Sequence, residues 1–203
     1  MDQGELRLIQ RLKRGDPAAY REFVERHQAR VYRTVASITG NREDARDITQ
    51  EVFLKAFEAI GQFRGGSTIN TWLHRISVNL CIDQIRTRKK WNQGNEYDFG
   101  DEFEDKTASI PDTGEDPLDT ALKDETSTKV QGALQALSED HRTILILREV
   151  EGMPYEEIAE VLGVGTGTVM SRLHYARSSL KKKMLSIARE EEGMAHDVFK
   201  EEA

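Results

Sequence analysis

Apolar positions in the first 92 residues recur at helical spacing. Tyr20, Phe23, Val24, His27, Val31 and Val35 fall three or four residues apart, which puts them on one stripe of one helix. Asp16 followed by Pro17 predicts where that helix starts. Asp accepts from orphan N–H groups at a helix N-terminus, and Pro at the first helical position has no N–H to satisfy. His27 on this stripe reads as a packed core residue in preference to a ligand. A second helix is predicted from "NREDARDITQEVFLKAFEAI", which opens with Asn41 and early acids. Ile48, Val52, Phe53 and Phe57 supply its apolar side. The Gly65–Gly66 pair in "RGGST" breaks the period. "NTWLHRISVNLCIDQIRTRKK" resumes it, with Asn70 as the expected cap and a basic final turn.

From about Trp91 the periodicity stops. "NQGNEYDFGDEFEDKTASIPDTGEDPLD" combines Gly, Asp, Glu and two prolines without a sustained pattern, and reads as an extended or disordered linker. Helical spacing returns over residues 119–189. Leu134, Leu137, Ile144, Leu145 and Leu147 point toward a core. "PYEEIAEVLGVGTGTVMSRLHYARSSLKKK" then gives a short helix, a glycine-bearing turn and a second amphipathic helix. That is a helix-turn-helix over 155–174, whose second helix can enter a DNA major groove. Ile158, Ala159 and Leu162 are expected inside on the first helix, Val169 and Leu173 on the second. The outer side then offers Thr168, Ser171, Arg172, His174, Tyr175 and Arg177. These are hydrogen-bonding or cationic groups of the kind that base edges and phosphates require.

The predicted architecture is all-α: two small helical domains, 1–92 and 125–189, joined by a flexible acidic linker over 93–124, with a C-terminal tail from 190 to 203. Charge divides the same way. The net charge of −7 is the sum of three unlike parts. Residues 1–92 carry 17 Lys/Arg against 11 Asp/Glu, residues 93–128 carry 2 against 12, and residues 129–203 carry 10 against 13. Within the last part, residues 163–189 hold six basic residues and no acid. Two basic surfaces flank an acidic strip, which points to a polyanionic partner for the domains.

Other classes recede. No apolar run approaches the ~20 residues of a membrane span, and the N-terminus lacks the apolar core of a signal peptide, so a cytoplasmic protein without membrane insertion is expected. Cys81 is the single cysteine, so no internal disulfide is possible. It reads as a small buried hydrophobe in preference to a reactive thiol. No Cys/His spacing suggests a metal site. His74, His141 and His174 stand singly, with no nucleophile, base and orienting group converging and no phosphate loop. No catalytic residue and no cofactor are assigned, and an enzyme is not expected.

Two motif sets carry a resemblance. "DARDITQEVFLKAFEAIGQFRGGSTINTWLHRISVNLCIDQIR" and "LREVEGMPYEEIAEVLGVGTGTVMSRLHYAR" resemble, in order and spacing, the two domains of bacterial sigma factors of the extracytoplasmic-function group, in the sigma-70 family. The resemblance covers roughly residues 5–92 and 125–185. It implies that segment 47–60, with Asp47, Gln50, Glu51 and Lys55, docks on the clamp helices of the largest subunit of core RNA polymerase. Read from its residues alone, the same side is a solvated helix face. The resemblance also implies a contact with the flap region of the second-largest subunit. It implies capture of an unstacked base of the promoter −10 element by Asn79 and the loop Phe63–Asn70, including Arg64, Gly65, Gly66 and Asn70. Arg75, Arg86, Arg88, Lys89 and Lys90 are implied to hold strand backbones. Trp72 is assigned to the core in preference to a stacking platform. The helix-turn-helix is matched to the reader of the −35 element.

The chain departs from the family pattern at Gly165, Met170 and Tyr175, where Pro, a cation and Arg are frequent, so its −35 sequence is its own. The acidic linker is implied to thread toward the polymerase cleft, where its charge suits a nucleic-acid mimic. An anti-sigma factor is implied as a partner, and a stress response as the occasion. The rival reading is a helix-turn-helix regulator that never joins the polymerase.

Overall fold

The computed structural model describes residues 3–94 and 128–201; side chains are described through residue 189, apart from those of residues 89, 90 and 92–94. The described residues are helical without strands. The N-terminal set comprises α1 (Gln3–Lys13), α2 (Pro17–Thr39), α3 (Arg42–Ala59), a 3-10 turn (Ile60–Gln62) and α4 (Ile69–Gly94). The C-terminal set comprises α5 (128–135), α6 (Glu139–Leu145), a π-helical turn (Ile146–Val150), α7 (Tyr155–Leu162) and α8 (Thr166–Glu201). The linker expected over 93–124 lies outside the described residues from 95 onward. Among the described residues no helix is long and apolar enough to cross a membrane.

Local chemistry sets the helix ends. Asp16 Oδ1 accepts from the Ala18 N–H at 2.9 Å, with Pro17 opening α2 as expected. Gly40 ends α2 at φ 70°, a left-handed conformation that costs glycine little. Asn41 follows at once, and its Oδ1 accepts from the Glu43 and Asp44 N–H groups to start α3. The cap of α4 is Thr68 and not Asn70. The Thr68 hydroxyl accepts from the Thr71 N–H at 3.1 Å, because the helix must begin early enough to bury Ile69.

Helices α2, α3 and α4 pack on one another around Phe23, Val35, Val52, Phe53, Leu73 and Val78, with Cys81 fully buried among them. Phe23 meets Phe53 edge-on at 5.9 Å. Phe57 departs from its expected place: it is 45% exposed, touching the edge of Tyr20 at 4.9 Å. At ~100° per residue it stands well off the Ala45–Ile48–Val52–Ala56 stripe. His27 is half-buried against the Phe23 ring.

In the C-terminal set, Ile144, Leu145, Ile146 and Leu147 are all buried in succession. The widened turn after α6 accommodates this run; the Glu151 N–H reaches back to the Ile146 carbonyl at 3.0 Å. Ile158 and Ala159 face inward as expected, Val161 more completely than Leu162. Gly163, at φ 65°, turns the chain from α7 into α8, where Val169 and Leu173 are buried. α8 does not stop near 189; it continues as helix to Glu201, through most of the segment read as a tail.

The two helical sets are packed together. α7 lies on α4, and α6 with the π turn lies on α2, so buried residues of both sets join one apolar cluster.

Candidate nucleic-acid interface

The N-terminal candidates separate by position. Phe63 is buried and packs at a tilt against the Trp72 ring, with centroids 5.3 Å apart, which makes Trp72 a packing residue. Between Phe63 and Thr68 the loop turns outward. Arg64, Gly65 and Gly66 are exposed, and Gly65 sits at φ 74°, where a side chain would be strained. Asn70 does not share that exposure. Its Oδ1 lies 3.1 Å from His27 Nδ1, a bond that ties α4 to α2.

Along α4, Arg75, Asn79 and Arg86 are exposed. Steps of four and seven residues align them on one helix face. Arg88 points elsewhere, toward Asp44 at 3.2 Å. Lys89 and Lys90 continue the helix, their side chains outside the described residues. Asn79 borders a groove of about 460 Å³ between α3 and α4, walled by Lys55, Glu58 and Gln62 on one side and Ile76 and Asp83 on the other. Its own side chain meets no hydrogen-bond partner among the described residues. A base edge entering there finds both donors and acceptors.

Asp47, Gln50, Glu51 and Lys55 share one exposed face of α3, with Lys55 and Glu51 3.4 Å apart. Sequence reasoning missed the centre of this face. Leu54 is 59% exposed between them, and Phe57 flanks it. An apolar centre with a polar rim is the composition of a protein-docking surface. The signal was present in the helical angles, which put Leu54 opposite Ala45 and Val52.

On α8 the buried line is Val169, Leu173 and Ala176. Opposite it lie Ser171, His174 and Tyr175, all exposed, with the His174 and Tyr175 rings edge to face at 5.5 Å. Thr168 is exposed a turn earlier, and its carbonyl accepts from the Ser171 hydroxyl at 3.1 Å. The two arginines stand on opposite flanks of this face. Arg172 lies 3.4 Å from Asp140, and Arg177 donates to Glu149 at 2.7 Å. A segment without acids is therefore not a surface without acids, since neighbouring elements supply them. Met170 is 53% exposed beside Arg177.

Comparison with known proteins bears on both halves. Residues 23–91 match the family described as Sigma-70 region 2, and residues 127–180 match Sigma-70, region 4. The chain is 35% identical over 184 residues to the RNA polymerase sigma-H factor of Pseudomonas aeruginosa, covering 90% of this chain and 95% of that protein. It is 31% identical to the ECF RNA polymerase sigma factor SigW of Bacillus subtilis, over 87% of this chain and 94% of that one. Among solved structures it is similar to the sigma factor RpoE of Bartonella quintana in complex with the anti-sigma factor NepR, with 25% identity and a TM-score of 0.62, over 81% and 96% of the two chains. CnrH, solved with the cytosolic domain of CnrY, shares the fold at 21% identity and a TM-score of 0.64, over 90% and 97%.

Proposed function

The chain belongs to the extracytoplasmic-function group of the sigma-70 family, and from that premise we propose how its surfaces divide the work of starting transcription. The exposed face of α3, with Asp47, Gln50, Glu51 and Lys55 around Leu54, takes the clamp helices of the polymerase largest subunit. The C-terminal domain takes the flap region of the second-largest. Arg64, Gly65, Gly66 and the Arg75–Asn79–Arg86 face of α4 receive the −10 element, and Asn79 offers its amide to a base lifted from the stack. Lys89 and Lys90 extend that path along the backbone. Asn70 acts one step removed, by fixing the start of α4 against His27.

On α8, Ser171, His174 and Tyr175 face the bases of the −35 element. Arg172 and Arg177, on the flanks, face the phosphates. Such work belongs in the bacterial cytoplasm. An anti-sigma factor is the expected inhibitor, by similarity to the RpoE chain solved with NepR.

One observation carries this reading: three separate exposed faces, on α3, α4 and α8, each with the chemistry its partner requires. The test combines a pull-down with core polymerase and run-off transcription on fragmented genomic DNA, with sequencing of the starts. Initiation at sites sharing two spaced elements is expected. A chain that binds DNA but not core polymerase would instead be a free-standing regulator. The substitution Leu54→Asp should abolish the pull-down while leaving the helical content intact.

A further inference from the structure

The loop between Phe63 and Asn70 is pinned at both ends and open in the middle. At its far end, His27 of α2 holds the Asn70 side chain, and Thr68 caps α4. At its near end, the Phe63 ring is buried against Trp72, and the Phe63 N–H donates to the Ile60 carbonyl at 3.1 Å. The Phe63 carbonyl is the last pinned backbone group before the exposed residues 64–66. It accepts from Lys13 Nζ at 2.5 Å, a partner 50 residues earlier in the chain.

Lys13 reaches the loop from a firm base. Leu8, Ile9 and Leu12 are buried, which seats α1 on the N-terminal set. Arg11 ties the end of α1 to the start of α2, donating to Asp16 at 2.8 Å and to Glu22 at 3.0 Å. α1 also packs on the 3-10 turn that leads into Phe63.

Holding this one carbonyl has a consequence for the loop. The peptide unit is planar and trans, so the Phe63 carbonyl and the Arg64 N–H point in opposite directions from one rigid plate. With the carbonyl turned to Lys13, the Arg64 N–H is turned away from α1, and the direction in which Arg64 leaves is set. Gly65, at φ 74°, and Gly66 would otherwise leave this stretch wide backbone freedom. A loop that receives a nucleotide binds it better when its bound shape is set beforehand, because less ordering remains to be done.

We propose that Lys13 is a positioning residue for −10 recognition: it fixes the Phe63–Arg64 peptide plane, so the loop meets DNA already shaped, and it does so without touching DNA. This rests on the promoter-recognition reading above, and it adds a determinant of −10 affinity and base preference on α1, outside the faces assigned to the promoter. A loop without this pin still reaches the bound shape, but in fewer molecules, and apparent affinity falls with that fraction. It also adapts to wrong bases, which blunts discrimination.

The test compares Lys13→Met, which keeps the apolar stem and removes the donor, with Lys13→Arg, which restores a donor. In the free chain, a nitroxide at Gly66→Cys reports loop mobility; a Cβ at Gly66 meets nothing within 4 Å, and Cys81 is buried. Lys13→Met should sharpen the nitroxide spectrum, and Lys13→Arg should return it to the line shape of the wild-type background. Unlabelled holoenzymes are then given a promoter recovered by run-off transcription, already unpaired around −10, at several salt concentrations. Lys13→Met should bind it roughly tenfold more weakly and discriminate less among bases of the −10 element, with the salt slope of wild type. Lys13→Arg should recover both affinity and discrimination. A salt slope lower by about one in Lys13→Met would mean that Lys13 meets a phosphate itself, and overturns the positioning role. Unchanged mobility or unchanged binding in Lys13→Met overturns it too. So does a Lys13→Met chain that has lost its helices by circular dichroism, which makes Lys13 a stability residue. If the wild-type chain forms no holoenzyme, the promoter-recognition reading fails instead, while the nitroxide comparison still decides whether Lys13 holds the loop.

Discussion

Arg177 donates through both Nε and Nη2 to a single oxygen of Glu149, at 3.0 and 2.7 Å. A guanidinium assigned to DNA is thus already held by a carboxylate of its own domain. The pair is half exposed, so it contributes little to stability. It matters because DNA must compete with it. Glu149→Gln should free Arg177, strengthen promoter binding by the holoenzyme a few-fold, and leave thermal stability nearly unchanged. Filter binding at two salt concentrations checks this. Weaker binding in the variant would mean that Glu149 positions Arg177 productively and does not restrain it.

Arg172 tests the orientation of α8. It sits on the flank of the reading face, within 3.4 Å of Asp140, while Ser171, His174 and Tyr175 occupy the centre. On the proposed reading, a cation on this flank meets phosphate. Arg172→Ala should weaken holoenzyme binding alike on all −35 sequences and lower the salt slope by about one. If instead one −35 position loses discrimination, by about 1–3 kcal/mol, the side chain reaches a base and the helix is rotated from the orientation argued above.

The helices and their caps at Asp16 and Asn41 were legible because their causes are local. A side chain two or three residues from the N–H it satisfies leaves a pattern that can be read in order. Phe57 was misplaced because stepping by four from Phe53 hid a drift toward solvent. The π turn left no signal, since four successive buried residues, Ile144–Leu147, have no period to read. Glu151, which accepts from Arg30 and Thr34 across the two helical sets, was the least legible. Arg30 and Thr34 lie 121 and 117 positions away from it, and each alone looks like a polar residue on an amphipathic helix. The bond between Asn70 and His27 was equally hidden, because it depends on how α2 and α4 pack.

Acidification should destabilise the chain through two histidines. Burial holds His27 and His74 below the ordinary value of 6.5. Around His74 stand Glu151, Arg30 and Glu157; the two acids oppose the shift, yet desolvation prevails. The unfolded chain therefore takes up protons near pH 6.5, while the folded chain does so only at lower pH. The stability these neutral rings contribute is present above 6.5 and lost as pH falls through the folded values. Melting temperatures from about pH 7.5 to 5.5 should decline, and His27→Gln and His74→Gln should each flatten part of that slope. Slopes identical to wild type in both variants would show that these histidines titrate normally.

Asn79 lies on the exposed Arg75–Asn79–Arg86 face, at the rim of the groove between α3 and α4. Asn is a poor choice for an exposed helix interior, because its amide competes for backbone hydrogen bonds. Nothing in the fold compensates for it, since its side chain has no partner among the described residues. Asn79→Ala should therefore stabilise α4 slightly, by about 0.5 kcal/mol, and leave binding to core polymerase unchanged. Its cost should fall on promoter opening. A base drawn out of the stack loses a few kcal/mol of stacking and pairing, and on the proposed reading the Asn79 amide is one of the groups that offset this loss. The variant should form open complexes poorly on duplex promoters and much better on templates already unpaired around −10, where the flipping cost has been removed. Transcription from both templates, with thermal melting as the control, separates the possibilities. Equal loss on both templates together with a lower melting temperature would make Asn79 a structural residue of α4 and remove it from base capture.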